Sequence, residues 1–562
     1  MVEALKVSDI ITKCKSLKDF WSTRNTQMKE WYDMLLLTNN LSQPDMESVI
    51  VNEPAVAYRL GLHLLTSSII AHQIPTEPLE RPEMVDTSSI EKFITLAWKK
   101  QDKAHRAIGK QSWLSELTRF MLATGWYSVF TWATKDRLIA EIWNPAEVFP
   151  RFSRDPEIGL DECVHIYGLT APAANRKAKL NGWSLPNPFR SDTTVYSYFM
   201  VDDDGDIETA VIMGSILVVP LHKLVRQEQI STRIPILISP VGGLPDTGII
   251  ETSGTEWQKH YGESIIASAM DVINNRNKMS TYIQQLVRDT ANPRWFERST
   301  SSRGILRPED IFKRGQIFRG SPNESIDVLP VPPIPVEVRT ILFDYDSMIQ
   351  RALFPYALYG NIQTQMSGYM MSQIASSAMS VLTPYAEAIQ AVLSGVDNYW
   401  LTEVRERKLK TYKFEFPKNA PEDIEFEVKL NINIPGNLIQ RATVGKMLDP
   451  NLKFDFGTTC DLLFPEIVDP IQVQGKVNKD EAMMSPIAQT VAMVEAYREV
   501  AMTSREEGNI KTAELYEKAA TALEAQIAPP QAQVPSTQPP PRQREVREAA
   551  PREETTPPEE MM

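Results

Sequence analysis

Residues 257–289, WQKHYGESIIASAMDVINNRNKMSTYIQQLVRD, decide the fold together with four downstream segments: a basic turn, the proline brace 329–335 (LPVPPIP), a second helical segment and the uncharged loop 354–368 (FPYALYGNIQTQMSG). Ile265, Ala269, Val272, Arg276, Met279, Ile283 and Leu286 recur at alternating steps of four and three, which lines one stripe along a helix. Proline is absent from 257–289, so at 1.5 Å per residue the rod reaches roughly 50 Å. Ala291-Asn292-Pro293 stops it, because the residue before proline is pushed out of helical geometry. The prolines of 329–335 hold the backbone extended into the second arm, where Val338, Ile341, Tyr345, Met348 and Ala352 form a matching stripe. Two such stripes favour an antiparallel pair, each covering the other or a neighbouring copy. An ordinary core hairpin is the plainer alternative.

The whole chain sets outer limits. With 562 residues, 63.6 kDa and 42% hydrophobic residues, it is long and apolar enough for several folded units. A formal charge of -13 argues against avid coating of nucleic acid or anionic membrane, while leaving room for a local basic patch. Cys14, Cys163 and Cys460 are too few and too far apart for a disulfide framework, and residues 1–20 hold no apolar block resembling a secretion signal, so a cytoplasmic chain is expected. The best membrane candidates, 55–71 and 376–396, contain Arg59 and His63, and Pro384 and Glu387; no membrane span is expected.

The fold class read from patterning is α+β. Helical periodicity runs through 53–71, 89–101 and 113–123, and strands rich in β-branched and aromatic residues come next at 126–134, 137–143, 163–170, 194–200 and 211–219. A helix is expected again over 369–405, with Pro384 and Gly395 as kink sites, and strands at 411–416 and 424–434. Segment 480–526 resembles a single tetratricopeptide hairpin, too few repeats for a solenoid, and 527–562, rich in Pro, Gln, Glu and Arg, reads as a disordered tail.

No catalytic constellation emerges. The six histidines show no paired ligand spacing and no cysteine pair joins them. Gly109-Lys110 is followed by Gln111 where a phosphate-binding loop needs Ser or Thr, and no Gly-x-Ser-x-Gly elbow occurs. Gly242-Gly243 and Asp246-Thr247-Gly248 read as turns. In Asp202-Asp203-Asp204-Gly205-Asp206 the EF-hand glycine position is Ile207 and the closing glutamate position Met213, so a strand-connecting turn is expected rather than a calcium loop. The chain is therefore expected not to be an enzyme, with no catalytic, metal-binding or cofactor-binding residue assigned and no cofactor.

The excursion between the arms differs in charge from the rest. Arg288, Arg294, Arg298, Arg303, Arg307, Lys313, Arg314 and Arg319 stand against Asp289, Glu297, Glu309 and Asp310; eight minus four gives a local +4 on an acidic chain. A solvated turn with internal ion pairs and a partner-contacting or phosphate-contacting role both fit that pattern.

Taken in order, these elements resemble the portal (head-to-tail connector) proteins of tailed bacteriophages. FMLATGWYSV at 120–129 followed by IWNPAEVFP at 142–150 is similar to that family's helix, glycine, strand and Pro-x-x-Val passage, and Tyr261-Gly262-Glu263-Ser264 opens a long helix ending in Asn292-Pro293, as the family's first stem helix does. The resemblance implies a portal-like fold: a mixed α+β wing over 1–250, completed by 407–479; stem helices at 251–290 and 336–353; a clip at 291–335; a tunnel loop at 354–368; a long kinked spine helix at 369–406; a helical crown at 480–526; and the disordered tail.

It also implies a role. Portal proteins form a homo-oligomeric ring, usually a dodecamer, at one capsid vertex of the virion, assembled in the host cytoplasm. Double-stranded DNA passes through without sequence recognition during packaging and ejection, and the ring docks the terminase large subunit, head-completion or adaptor proteins, and capsid and scaffolding protein. Duplex DNA carries one charge per roughly 1.7 Å, so cationic channel walls would oppose sliding. Tyr356, Tyr359, Asn361, Gln363 and Gln365 are the expected channel residues, and Arg294, Arg298, Arg303, Arg307, Lys313, Arg314 and Arg319 the partner-facing ones. The rival expectation is a cytoplasmic helical adaptor whose Pro-rich tail recruits partners.

Overall fold

The structure, a computed structural model, describes residues 7–38, 48–75, 87–154, 159–226, 229–230, 233–245, 254–291, 294–300, 319, 321–329, 337–354, 379–417, 424–431, 484–506 and 509–527. These residues form two compact units, within 1–468 and 469–562. Eleven α-helices and five small sheets are present among them, an α+β chain.

The first unit opens with α1 (Val7–Phe20), α2 (Ser22–Leu35) and α3 (Glu53–Thr66), the last entered through Pro54 in its first turn. The apolar run 53–71 is not one helix: its end becomes β1 (Ile69–Gln73), drawn away by antiparallel pairing with residues 427–431. After α4 (Thr87–Ala107), α5 (Trp113–Thr124) starts where the Ser112 side chain accepts the Ser115 N–H and stops at Gly125 in left-handed geometry, φ 68°. Strands β2 (Trp126–Ala133), β3 (Leu138–Ile142), β4 (Val148–Phe152) and β5 (Leu160–Leu169) come next, and then α6 (Ala171–Leu180), a helix with no forecast from periodicity.

Beyond α6 come β6 (Thr193–Val201), β7 (Ile207–Met213), β8 (Ile216–Lys223), the short β9 (Val225–Arg226) and β10 (Gln229–Ile230), and β11 (Ile236–Pro240). The single strand expected over 211–219 is two, because the chain reverses at Gly214. Strands β4 to β8 form a five-stranded antiparallel sheet in sequence order; β11, β2 and β3 form a second, with β2 central. Stacked rings link the two: Phe130 on Trp143 at 4.9 Å, Trp143 on His165 at 4.0 Å.

The stem passage gives α7 (Met270–Ala291), the paired strands β12 (Trp295–Arg298) and β13 (Ser325–Val328), and α8 (Glu337–Ala352). Then α9 (Thr383–Glu406) packs on β2 and on β14 (Glu427–Asn431). Within the expected 369–405 helix, residues 380–382 are turn, and Pro384 lies in the first turn of α9, where its missing N–H costs nothing; helix geometry runs unbroken past Gly395. Segment 411–416 alternates like a strand yet forms none. Tyr412 and Lys413 take left-handed φ values of 56° and 63°, and Phe414 stacks on Phe93 of α4 at 4.2 Å, so the pattern serves ring packing instead of pairing.

The core centres on Trp21, Trp126 and Trp400, all fully buried. Arg24 is buried with them, its guanidinium 4.8 Å from the Trp21 and Trp126 rings and donating to the carbonyls of Pro145 and Val148 at 3.2 and 3.0 Å. Asp397 of α9 is also fully enclosed, meeting His72 Nδ1 and accepting Trp98 Nε1–H, each at 2.6 Å.

The second unit, described by itself, is a hairpin of α10 (Pro486–Glu506) and α11 (Ile510–Ile527), clasped by Arg498–Glu524 and Arg505–Glu517 pairs. The proline-rich segment after Ile527 lies outside the described residues.

Candidate functional site

The passage Tyr261-Gly262-Glu263-Ser264 is a backbone crossing. Gly262 sits at φ 90° against Gly125, and a methyl group on either would lie within about 2.5 Å of the other strand's main chain. Around them Val241 N–H donates to the Gly125 carbonyl (2.7 Å), Glu263 N–H to Val241 (3.0 Å), and the Ser264 hydroxyl to Leu122 (2.8 Å). Tyr385 of α9 adds its hydroxyl to the Glu263 carbonyl at 2.7 Å. These bonds commit the main chain through 264, so the rod expected from 257 begins instead at Met270, and its 22 residues span about 33 Å.

Helices α7 and α8 run antiparallel: Ser268 Oγ donates to the Ala352 carbonyl (3.2 Å), and Arg276 pairs with Asp346, with Glu53 at 3.8 Å. Ile265 and Ala269 of the expected stripe are buried just ahead of α7, but within α7 the buried face is a different one. Ile273, Asn277 and Thr281 are buried, because Asn277 Oδ1 and Thr281 Oγ1 accept the backbone N–H groups of Val51 and Val49, both at 3.0 Å. Residues 48–51 thus lie along α7, bonded once per helical turn. On α8, Ile349 alone is buried; Ile341 and Met348 of the expected stripe are exposed, and Phe343 is 73% exposed.

At the far end of the pair, the β12–β13 ribbon shows Trp295, Phe296, Val328 and Leu329 to solvent. Its excursion is tied across by Glu324, whose carboxylate accepts the Ser321 N–H (2.8 Å) and the hydroxyls of Thr300 (2.9 Å) and Ser299 (3.1 Å). Those bonds, the Ser321 N–H foremost, hold the carboxyl below its usual range. Arg294, Arg298 and Arg319 are exposed here. Arg303, Arg307, Lys313 and Arg314 lie outside the described residues, as do Tyr356, Tyr359, Asn361, Gln363 and Gln365. What a reading by charge missed are the exposed apolar side chains of the ribbon, where Trp295 stands opposite Val328 and Phe296 opposite Asp327.

Among the described residues, the cluster that could ligate a metal is Asp202, Asp204 and Asp206, in the turn between β6 and β7. Lys223 Nζ already stands among them, 3.0, 3.5 and 2.6 Å from the three carboxylates, a covalently supplied cation. No described helix is long and apolar enough to cross a membrane.

No protein-family model matches the chain, and no curated protein does. Among solved structures it is similar to a chain from the neck of an empty gene transfer agent (GTA) particle, at 12% identity and a TM-score of 0.38, over 74% of this chain and 90% of that one. A chain from the virion of a native GTA particle gives 12% identity and 0.37, over 73% and 89%. Likeness of that degree leaves function to be argued from the chain's own residues.

Proposed function

We propose that this chain is a phage portal subunit: a non-enzymatic protomer of a ring at a capsid vertex, through which DNA passes. The observation that carries the reading is the α7–α8 pair, which one copy leaves largely uncovered. Tyr282, Val287, Ile341, Phe343 and Met348 on the helices, and Trp295, Phe296, Val328 and Leu329 on the ribbon, are exposed large apolar side chains. Exposed apolar side chains recurring along a helix pair are what a protein contact covers, and neighbours set side by side around an axis would cover them on every copy. The exposed Arg294, Arg298 and Arg319 then face terminase or adaptor proteins, while the uncharged 354–368 loop meets DNA without gripping it.

Electron microscopy and native mass of the purified chain test this. Twelve copies of 63.6 kDa make a particle of about 760 kDa with an open centre wide enough for a duplex. A monomer, a small oligomer or a solid-centred particle sinks the reading and favours the adaptor.

A further inference from the structure

Away from the α7–α8 pair, an aromatic pocket lies between the end of α1, strand β4 and residues 257–261. It has a volume of about 250 Å³ and is lined by Phe20, Trp21, Phe152, Trp257 and Tyr261, with Arg151 at its rim. That is below the 300 to 1,000 Å³ of sites for drug-sized ligands, which points to one or two side chains of a peptide. Trp21 and Tyr261 are nearly parallel, 14° apart with centroids at 6.4 Å, and Trp257 stands across both, at 68° and 67°. Phe20, exposed, closes one side at 85° to Trp21. The buried indoles are satisfied, Trp21 donating to the Pro150 carbonyl and Trp126 to that of Tyr261. The half-buried indole N–H of Trp257 has no acceptor among the described residues.

An aromatic-lined pocket of this size suits proline. Its ring packs on aromatic faces, and the carbonyls of an extended polyproline II segment are left without internal partners. Arg151 is already paired with Glu162 at 3.1 Å, so the rim asks for no charged ligand. This chain contains a proline-rich run: residues 528–541, APPQAQVPSTQPPP, carry six prolines and no charge.

We infer that this pocket is a receptor for the uncharged proline run 528–541 of a second copy of this chain, the Trp257 indole donating to a carbonyl of the run. The inference rests on the reading that copies assemble side by side. Assembly holds each tail at millimolar effective concentration near its neighbours, so a contact too weak to persist between separate molecules is populated in the particle.

The test uses the full chain with p-benzoylphenylalanine in place of Phe20, assembled from a mixture of unlabelled and 15N-labelled copies, irradiated and mapped by mass spectrometry. Adducts to peptides within 528–541 that join labelled to unlabelled chains are expected. Trp257→Ala should reduce them at least fivefold. Pro539→Ala/Pro540→Ala/Pro541→Ala, outside the folded units' described residues, should do the same with particle mass unchanged. Adducts confined to other segments, adducts within one copy only, or yields indifferent to the proline substitutions overturn the inference. A large open particle lacking the adduct overturns this inference alone; a small particle lacking it overturns the portal reading as well.

Discussion

Two glycines and one aspartate carry more of the fold than their size suggests. Gly125 and Gly262 touch main chain to main chain at positive φ, so Gly125→Ala or Gly262→Ala must both strain a backbone and separate the crossing that launches α7. Each should lower unfolding free energy by more than about 3 kcal/mol in denaturant titration, far beyond an ordinary surface change; a loss under about 1 kcal/mol would show that the crossing relaxes. Asp397 acts through its proton. Burial raises its pKa, opposed by the hydrogen bonds from His72 and Trp98, so the folded chain holds the proton more tightly than the unfolded one. Its contribution is therefore complete below the ordinary aspartate pKa and lost as pH rises through the folded value, with a slope of at most about 1.4 kcal/mol per pH unit. In Asp397→Asn that slope should vanish from urea titrations taken between pH 4 and 8. An unchanged slope would assign the pH dependence to other groups.

Elements were legible in the sequence where local chemistry and tertiary partners agreed. α5, β2, β3 and the α10–α11 hairpin can all be read from periodicity and punctuation. They failed where a distant partner decided. The strap 48–51 turned Asn277 and Thr281 inward, which no apolar period can announce, and pairing with β14 took residues 69–71 out of the helical run. Of the candidate site, the exposed Arg294, Arg298 and Arg319 were readable from charge. The exposure of most of α8 was not, because a stripe in sequence does not say whether its partner is in the same chain. That exposure yields a prediction proper to the element. Phe343→Ser with Met348→Ser should shift the native mass toward one copy while unfolding free energy of that copy changes by no more than about 0.5 kcal/mol, since exposed side chains support little in isolation. Particles of undiminished size would remove α8 from the interface.

For the whole molecule, a formal charge of -13 makes copies repel one another weakly, and apolar contact would have to overcome that repulsion for copies to associate as proposed. The exposed apolar side chains of α8 also bear on what heat can do to this protein. A lone copy melts at a temperature fixed by its own core, but copies that shield one another gain resistance by mass action, so diluting the sample should bring the transition down and concentrating it should push it up. Scans at a hundredfold range of protein concentration would reveal the drift. If copies assemble as proposed, the thermal limit of this chain is a shared property, set by how crowded its own kind is in the tube.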